Sequence, residues 1–373
     1  MAFQEHPNLL GLSEAIGSLG LQNDGLPFTL PASFKRKVRV PRYLYRVYSS
    51  NSAGYMDEVW AKSVAARNAD PSHTRCIFTL DKSRAAAMIN GHMRWRTEDG
   101  ADNLVSWTSS VLYALISVFY RRAFYNEGMD NIFLCIIDTD QFPANTFISG
   151  SDLVDAFKVH SEDLRSFDNY QYTRPPGKQG WYYFGEYLSQ GALRIQDNCK
   201  PVSVQQMLNC GLLELHPRFP EFRNWSPGKW PLAKLVVELR EPFYGPSPAE
   251  SEDTPGNVIN ACVQIGRLFG SEFEVIVAMS LFSLVPNRDS PLDIVLEYGA
   301  SDGFGTGNIE VARTCVLRAQ HCAEWRKRED GDRGGDGVVP TGLEEILEEM
   351  KFLGDRALSL YSSSGEEEQE DEE

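Results

Sequence analysis

The sequence predicts an α+β domain followed by a mainly helical region. Three observations carry this. From Arg42 to about residue 200, short strand-like runs alternate with helix-like ones. Beyond that point the apolar spacing is almost wholly helical. The 373 residues are 42% apolar, with 20 Phe, 15 Tyr and 7 Trp, enough to bury a sizeable core.

The elements follow in order. Residues 1–37 read as an irregular leader. RYLYRVYS (42–49) alternates as a strand does. YMDEVWAKSVAARN (55–68) places Met56, Val59, Trp60 and Val64 at helical spacing, and RCIFTL (75–80) reads as a short strand. DKSRAAAMINGHM (81–93) starts on an N-cap Asp and runs through alanines as a helix. NLVSW (103–107) is a strand and SSVLYALISVFYRRAFY (109–125) an apolar helix with a basic end. NIFLCIID (131–138) suits a buried strand, and SDLVDAF (151–157) a short helix. YTRPPGKQG (172–180) is a loop, broken by prolines and glycines. Strand-like WYYFGEYL and the small element GALRI follow.

The second half has a different character. VSVQQMLNCGLLELHP (202–217) reads as a helix with a glycine-marked turn, and AKLVVELREPF (233–243) as a strand or a short helix. YGPSPAESEDTPG (244–256) has linker composition. Residues 257–285 form a helix apolar nearly all round, so core or a partner interface, and 308–329 form another. The division is therefore 1–37 leader, 38–200 α+β domain, 201–330 helical domain, 331–361 linker with an exposed helix, and 362–373 disordered acidic tail.

Charge and cysteines narrow the function classes. A net charge of -16 speaks against a nucleic-acid partner, and the clusters at 35–42 and 325–330 are too short to reverse it. Seven cysteines without CxxC pairs fit a reducing compartment, with Cys135 and Cys262 in the core. The N-terminal stretch lacks a basic n-region, and no run reaches the roughly 20 apolar residues that span a bilayer. An intracellular, cytoplasmic location is expected. The six histidines show no metal spacing. YGASDGFGTGN (298–308) follows a strand-like run and precedes a helix, but no second strand closes a βαβ unit, so the glycines read as a turn.

Three stretches place functional side chains on strand ends: LYRV with Arg46, LVSWTSS with Ser106 and Thr108, and GEYLSQGAL with Glu186. Singly, each has a plain structural reading: a surface Arg, a strand end capping a helix, a solvated Glu. Their joint occurrence, with IFLCIID and FISGSDLV between them, is the signal. In order and spacing they resemble the Arg–Ser–Glu class of mono-ADP-ribosyltransferases, the cholera-like and heat-labile-enterotoxin-like group, over about residues 42–196. The LYR…WTSS…EYL pattern also resembles that of a fungal family of unknown function.

The resemblance implies an ADP-ribosyltransferase-like split β-sheet core, two small facing sheets with an NAD cleft between them. It implies NAD as substrate and ADP-ribosyl transfer to an unidentified protein or small-molecule acceptor, or NAD hydrolysis. Glu186 would stabilise the positive charge that grows on the ribose as the nicotinamide bond breaks. Arg46 would grip phosphates through its bidentate fork. Ser106 would hold the Glu186 rotamer, with Thr108 assisting or capping the next helix. Trp107, Tyr113, Trp181, Tyr182, Tyr183 and Phe184 are aromatics suited to stacking on the nicotinamide ring. Which hydroxyl does the work stays open, because Trp107 interrupts the serine motif.

One position departs from the pattern. Arginine-modifying members carry a second acid two residues before the catalytic Glu, where this chain has Phe184. A guanidinium acceptor needs help losing a proton, which Phe cannot give. The acceptor is then more acidic, a small molecule or water. The alternative is a catalytically inactive binding module on the same fold. A protein partner would dock through the helical C-terminal region.

Overall fold

Alternating side chains with both flanks covered make the first strand, β1 (Tyr43–Ser49), in the computed structural model. The structure describes residues 25–96, 100–171, 184–224, 232–244 and 256–284. The sequence readings at 172–183, at 245–255 and beyond residue 284 lie outside the described residues.

The stretch at 55–68, expected to be one helix, is a hairpin of β2 (Tyr55–Met56) and β3 (Trp60–Lys62) followed by a single helical turn, α1 (Val64–Arg67). Asp57 decides this. Its Oδ1 accepts the amides of Val59 and Trp60 at 2.8 and 2.6 Å, which folds the chain back where a helix would continue. RCIFTL, expected as a strand, forms a 3-10 turn at Ile77–Thr79. The Ile77 amide finds the Gln190 side chain at 3.0 Å instead of a neighbouring strand.

The next elements stand where the sequence puts them. Asp81 caps α2 (Lys82–Met93) by accepting from the Arg84 amide. β4 (Leu104–Thr108) leads through the N-cap Ser110 into α3 (Val111–Tyr125), and β5 (Ile132–Asp138) is buried along almost all its length. Then come β6 (Ile148–Ser149), α4 (Gly150–Phe157), α5 (Glu162–Gln171), β7 (Glu186–Gln190), β8 (Ala192–Arg194) and β9 (Cys199–Ser203). The helix expected from residue 202 begins as the end of β9 and continues as α6 (Val204–Asn209). Helices α7 (Leu232–Tyr244), α8 (Gly256–Leu268) and α9 (Glu274–Phe282) follow. The single helix expected at 257–285 is broken, with Gly270 at φ +80° between α8 and α9. Among the described residues no helix is long and apolar enough to cross a membrane.

The fold class is mixed α and β with antiparallel sheets. A six-stranded sheet runs in the order β6-β7-β4-β1-β5-β9, and a three-stranded sheet in the order β2-β3-β8. The chain divides into two compact units: residues 1–208 with 221–239, and residues 209–220 with 240–373. Both sheets belong to the first.

Strand alternation sorts the core into two layers. Leu44, Tyr48, Val105, Trp107 and Tyr187 face Met56, Ala61 and Leu193 of the small sheet. On the other face, Leu104 and Leu188 pack with Ile89 and Met93 of α2, Leu153 and Phe157 of α4, and Phe167 of α5. Each such buried side chain contributes roughly 1.5–3 kcal/mol. Helix α3 packs against β1 and β5.

Candidate active site

Glu186 opens β7 and stands opposite Thr108, the last residue of β4, while Ser106 stands opposite Leu188. Directly opposed and alternate residues share a face, so Ser106 and Glu186 project from the helix-covered side of the sheet. The turn that delivers Glu186 is set by Gly185, held at φ +65°. A Cβ there would collide with the Ser109 hydroxyl, and the Ser109 amide donates to the Gly185 carbonyl at 2.9 Å. Thr108 completes the clamp. Its hydroxyl donates to the Phe184 carbonyl at 2.6 Å and accepts from the Ser110 amide at 3.0 Å.

A chain of four side chains follows. The Ser106 hydroxyl donates to Glu186 Oε1 at 2.9 Å. His92 Nε2 lies 2.7 Å from the same hydroxyl, and His92 Nδ1 lies 2.7 Å from Asp102 Oδ2. Asp102 is fixed in turn, since its other oxygen accepts the Leu104 amide at 3.0 Å. Burial opposes the charged imidazole of His92, but the charge and hydrogen bond of Asp102 outweigh it and raise the pKa above the usual histidine range. Burial also pushes the Glu186 carboxyl up, while His92 and the Ser106 hydroxyl hold it down. By whole-residue surface Glu186 is half-buried, although burial is the largest influence on its carboxyl.

The hydroxyl of Ser106 has one proton, so with Glu186 ionised the chain has two consistent states. With His92 charged, Nε2 donates to Ser106 and Ser106 donates to an ionised Glu186. With His92 neutral and Nδ1 still donating to Asp102, Nε2 accepts the serine proton, and Ser106 no longer supports the carboxylate.

Arg46 meets this group from behind. On β1 it alternates with Leu44 and Tyr48, the Trp107 side of the sheet, and its guanidinium lies 5.8 Å from the Trp107 ring centre. β1 and β4 share a single paired position, Tyr45 with Thr108, and Arg46 Nη1 donates to the Ser106 carbonyl there. Among the described residues its buried Nε has no hydrogen-bond partner. Burial lowers its pKa to about 10, which leaves it charged at neutral pH. The structure thus joins Ser106 and Glu186 through side chains, and Arg46 to Ser106 through the backbone.

Burial settles what Trp107 and Thr108 do. Trp107 is 1% exposed, and its Nε1 donates to the Ser189 hydroxyl at 2.9 Å inside the core between the sheets. Its ring therefore cannot stack on a ligand. Thr108, 6% exposed, is consumed in clamping the turn before Glu186. Tyr113 and Phe184 stack on each other, with centroids 5.0 Å apart and planes 8° apart. Burial, and then the nearby Glu186, push the Tyr113 phenol up.

Residues 39–194 match the family model of a domain of unknown function, DUF7587. The match is less than half of the chain, yet it contains every residue of this cluster. Comparison with curated proteins and with solved structures gave no match.

The sequence reading missed His92 and Asp102. It weighed the histidines only for metal spacing, and no local pattern ties a residue near the end of α2 to one before β4. The available signal was a polar side chain beside Ile89 and Met93, whose own positions are buried.

Proposed function

We propose that the β4–β7 cluster is an NAD-cleaving site of the ADP-ribosyltransferase type. The single observation that carries this is the half-buried Glu186 carboxylate held by the Ser106 hydroxyl at 2.9 Å. In the proposed reaction the bond between ribose C1 and the nicotinamide nitrogen breaks and its electron pair leaves with nicotinamide. The ribose becomes positive, and Glu186, fixed before the reaction starts, offsets that charge. An acceptor oxygen, or water, then bonds to C1 and passes its proton to bulk water.

His92 and Asp102 set the Ser106 proton toward Glu186. Arg46 acts in this reading as a brace for the Ser106 strand end rather than as a phosphate fork, because its guanidinium is committed to the Ser106 carbonyl and the Trp107 ring. Half-buried Tyr113, backed by the buried Phe184, offers an apolar ring near Glu186. With Phe184 in place of an acid, the acceptor is water or a group more acidic than a guanidinium.

Phe184 also favours a second reading, a binding module on the same fold without chemistry. Purified chain incubated with NAD separates the two. Release of free nicotinamide, lost in Glu186→Gln, supports the enzyme. NAD that stays intact in the presence of folded protein removes it.

A further inference from the structure

Two stretches of the first unit carry a pattern that the Glu186 site does not use. RWR (94–96) and FYRRAFY (119–125) interleave aromatic rings with arginines. The fold brings them together where α2 and α3 end. Trp95 and Tyr120 have ring centres 6.1 Å apart, Tyr120 stacks on Phe124 at 5.1 Å, and Phe124 meets Tyr125 edge-on at 4.9 Å. Trp95, Phe124 and Tyr125 nevertheless remain 53%, 58% and 51% exposed. A contiguous aromatic surface left in water marks an interaction site.

Trp95 is kept there against local preference. It sits at φ +58° just past the end of α2, its amide donating to the His92 carbonyl at 3.0 Å and the Arg96 amide to the Gly91 carbonyl at 2.8 Å. That pair of bonds is the Schellman ending of a helix, whose left-handed position is usually glycine. A tryptophan there costs backbone energy, and more than half of its surface stays in water.

Exposed arginines flank the rings. Arg94, Arg96 and Arg122 are exposed. Arg94 spends its hydrogen bonds on the Asn90 side-chain oxygen and the Asp163 carbonyl, and Arg122 on the Asn126 side-chain oxygen and the Glu127 carbonyl. All four acceptors are neutral, so both charges remain. The net charge of -16, which by itself speaks against a nucleic-acid partner, is not carried by this part of the chain. Residues 25–208 hold 21 Lys and Arg against 18 Asp and Glu, a balance of +3, and the acidic excess lies outside them.

We infer that the Trp95–Tyr120–Phe124–Tyr125 surface binds single-stranded nucleic acid. Exposed ring faces take unpaired bases, and the interleaved arginines take the phosphates between them. A duplex hides its base faces, and an acidic peptide offers charge without a run of rings. Tyr120 lies seven residues from Tyr113 along α3, about 10 Å, so a bound strand passes near the Glu186 site. The binding does not depend on what Glu186 does.

The test is fluorescence anisotropy of a labelled, mixed-sequence DNA or RNA strand of about 12 nucleotides, titrated with the full chain at about 50 and 200 mM salt. Saturable binding that weakens with salt and quenches tryptophan emission is expected. Trp95→Gly, which places the favoured residue at the helix end and so keeps the fold, should weaken binding about fivefold or more, as should Phe124→Ala. The pair Arg96→Ala and Arg122→Ala should flatten the salt dependence. The inference is overturned by an absence of binding at low salt, by Trp95→Gly and Phe124→Ala binding as the unchanged chain does, or by a poly-glutamate peptide competing as well as the strand.

Discussion

Ser106 and Glu186 are 80 residues apart in the chain, yet the hydroxyl of one donates to the carboxylate of the other at 2.9 Å across two neighbouring antiparallel strands. That bond both positions Glu186 and favours its charged form. Ser106→Ala should therefore leave the carboxyl pKa higher still, because the removed hydrogen bond was lowering it. Nicotinamide release should fall roughly tenfold or more, in line with the loss of a positioning group. Its acidic limb should move to higher pH in a pH–rate profile. A profile unchanged in height and position would mean that the bond does not matter to turnover.

The pH dependence on the alkaline side belongs to His92. Its folded pKa is raised, so its contribution to stability is complete below the unfolded value of about 6.5 and disappears as pH rises through the raised one. Over the same window Ser106 loses its donor and turns away from Glu186. Asp102→Asn removes the charge that raises His92, and the alkaline limb of activity should shift to lower pH. Asp102→Asn retaining the original limb would assign it to another group.

Glu186 is held at a cost to the fold. Its carboxyl pKa is raised chiefly by burial, so the folded state is relatively favoured below the unfolded value of about 4.3 and loses that advantage as pH rises through the folded one. Glu186→Gln keeps the shape without the charge. Thermal melts should show the variant gaining on the wild type as pH is raised from about 4 to 8, while nicotinamide release is abolished. Equal melting temperatures across that range would show that ionised Glu186 carries no penalty.

Gly185 controls where Glu186 begins. Gly185→Ala forces a side chain into a left-handed position, a cost of about 1–2 kcal/mol, and against the Ser109 hydroxyl. Chemical denaturation should register at least that loss. Turnover should fall as well, because the turn that aims Glu186 must shift. Full activity in the destabilised variant would show that the aim of Glu186 tolerates movement.

The elements that local chemistry specifies were legible in the sequence. Asp81 announces a helix that begins one residue later, and the apolar run at 132–138 forms the buried β5. Residues 55–68 were misread because Met56, Val59, Trp60 and Val64 fit a helical period equally well. The side chain of Asp57 broke the tie by hydrogen-bonding the backbone. Arg46, Ser106 and Glu186 were legible as a trio in order, but their faces were not. Register and sheet order turned Arg46 toward Trp107 and left Ser106 and Glu186 under the helices.

By itself the sequence determined the strands at 42–49, 103–107 and 131–138 and the helices at 81–93, 109–125 and 151–157 in outline, the aromatic wealth of the core and the three strand ends that carry Arg46, Ser106 and Glu186. Only the tertiary structure decided that Trp107 is core, that Thr108 is a clamp, and that His92 and Asp102 extend the line of hydrogen bonds from Glu186. The reason is physical. Composition and periodicity act within a few residues of one another, whereas a hydrogen bond between side chains on α2, β4 and β7 exists only after burial of Leu104, Leu188, Ile89 and Met93 has brought those elements together.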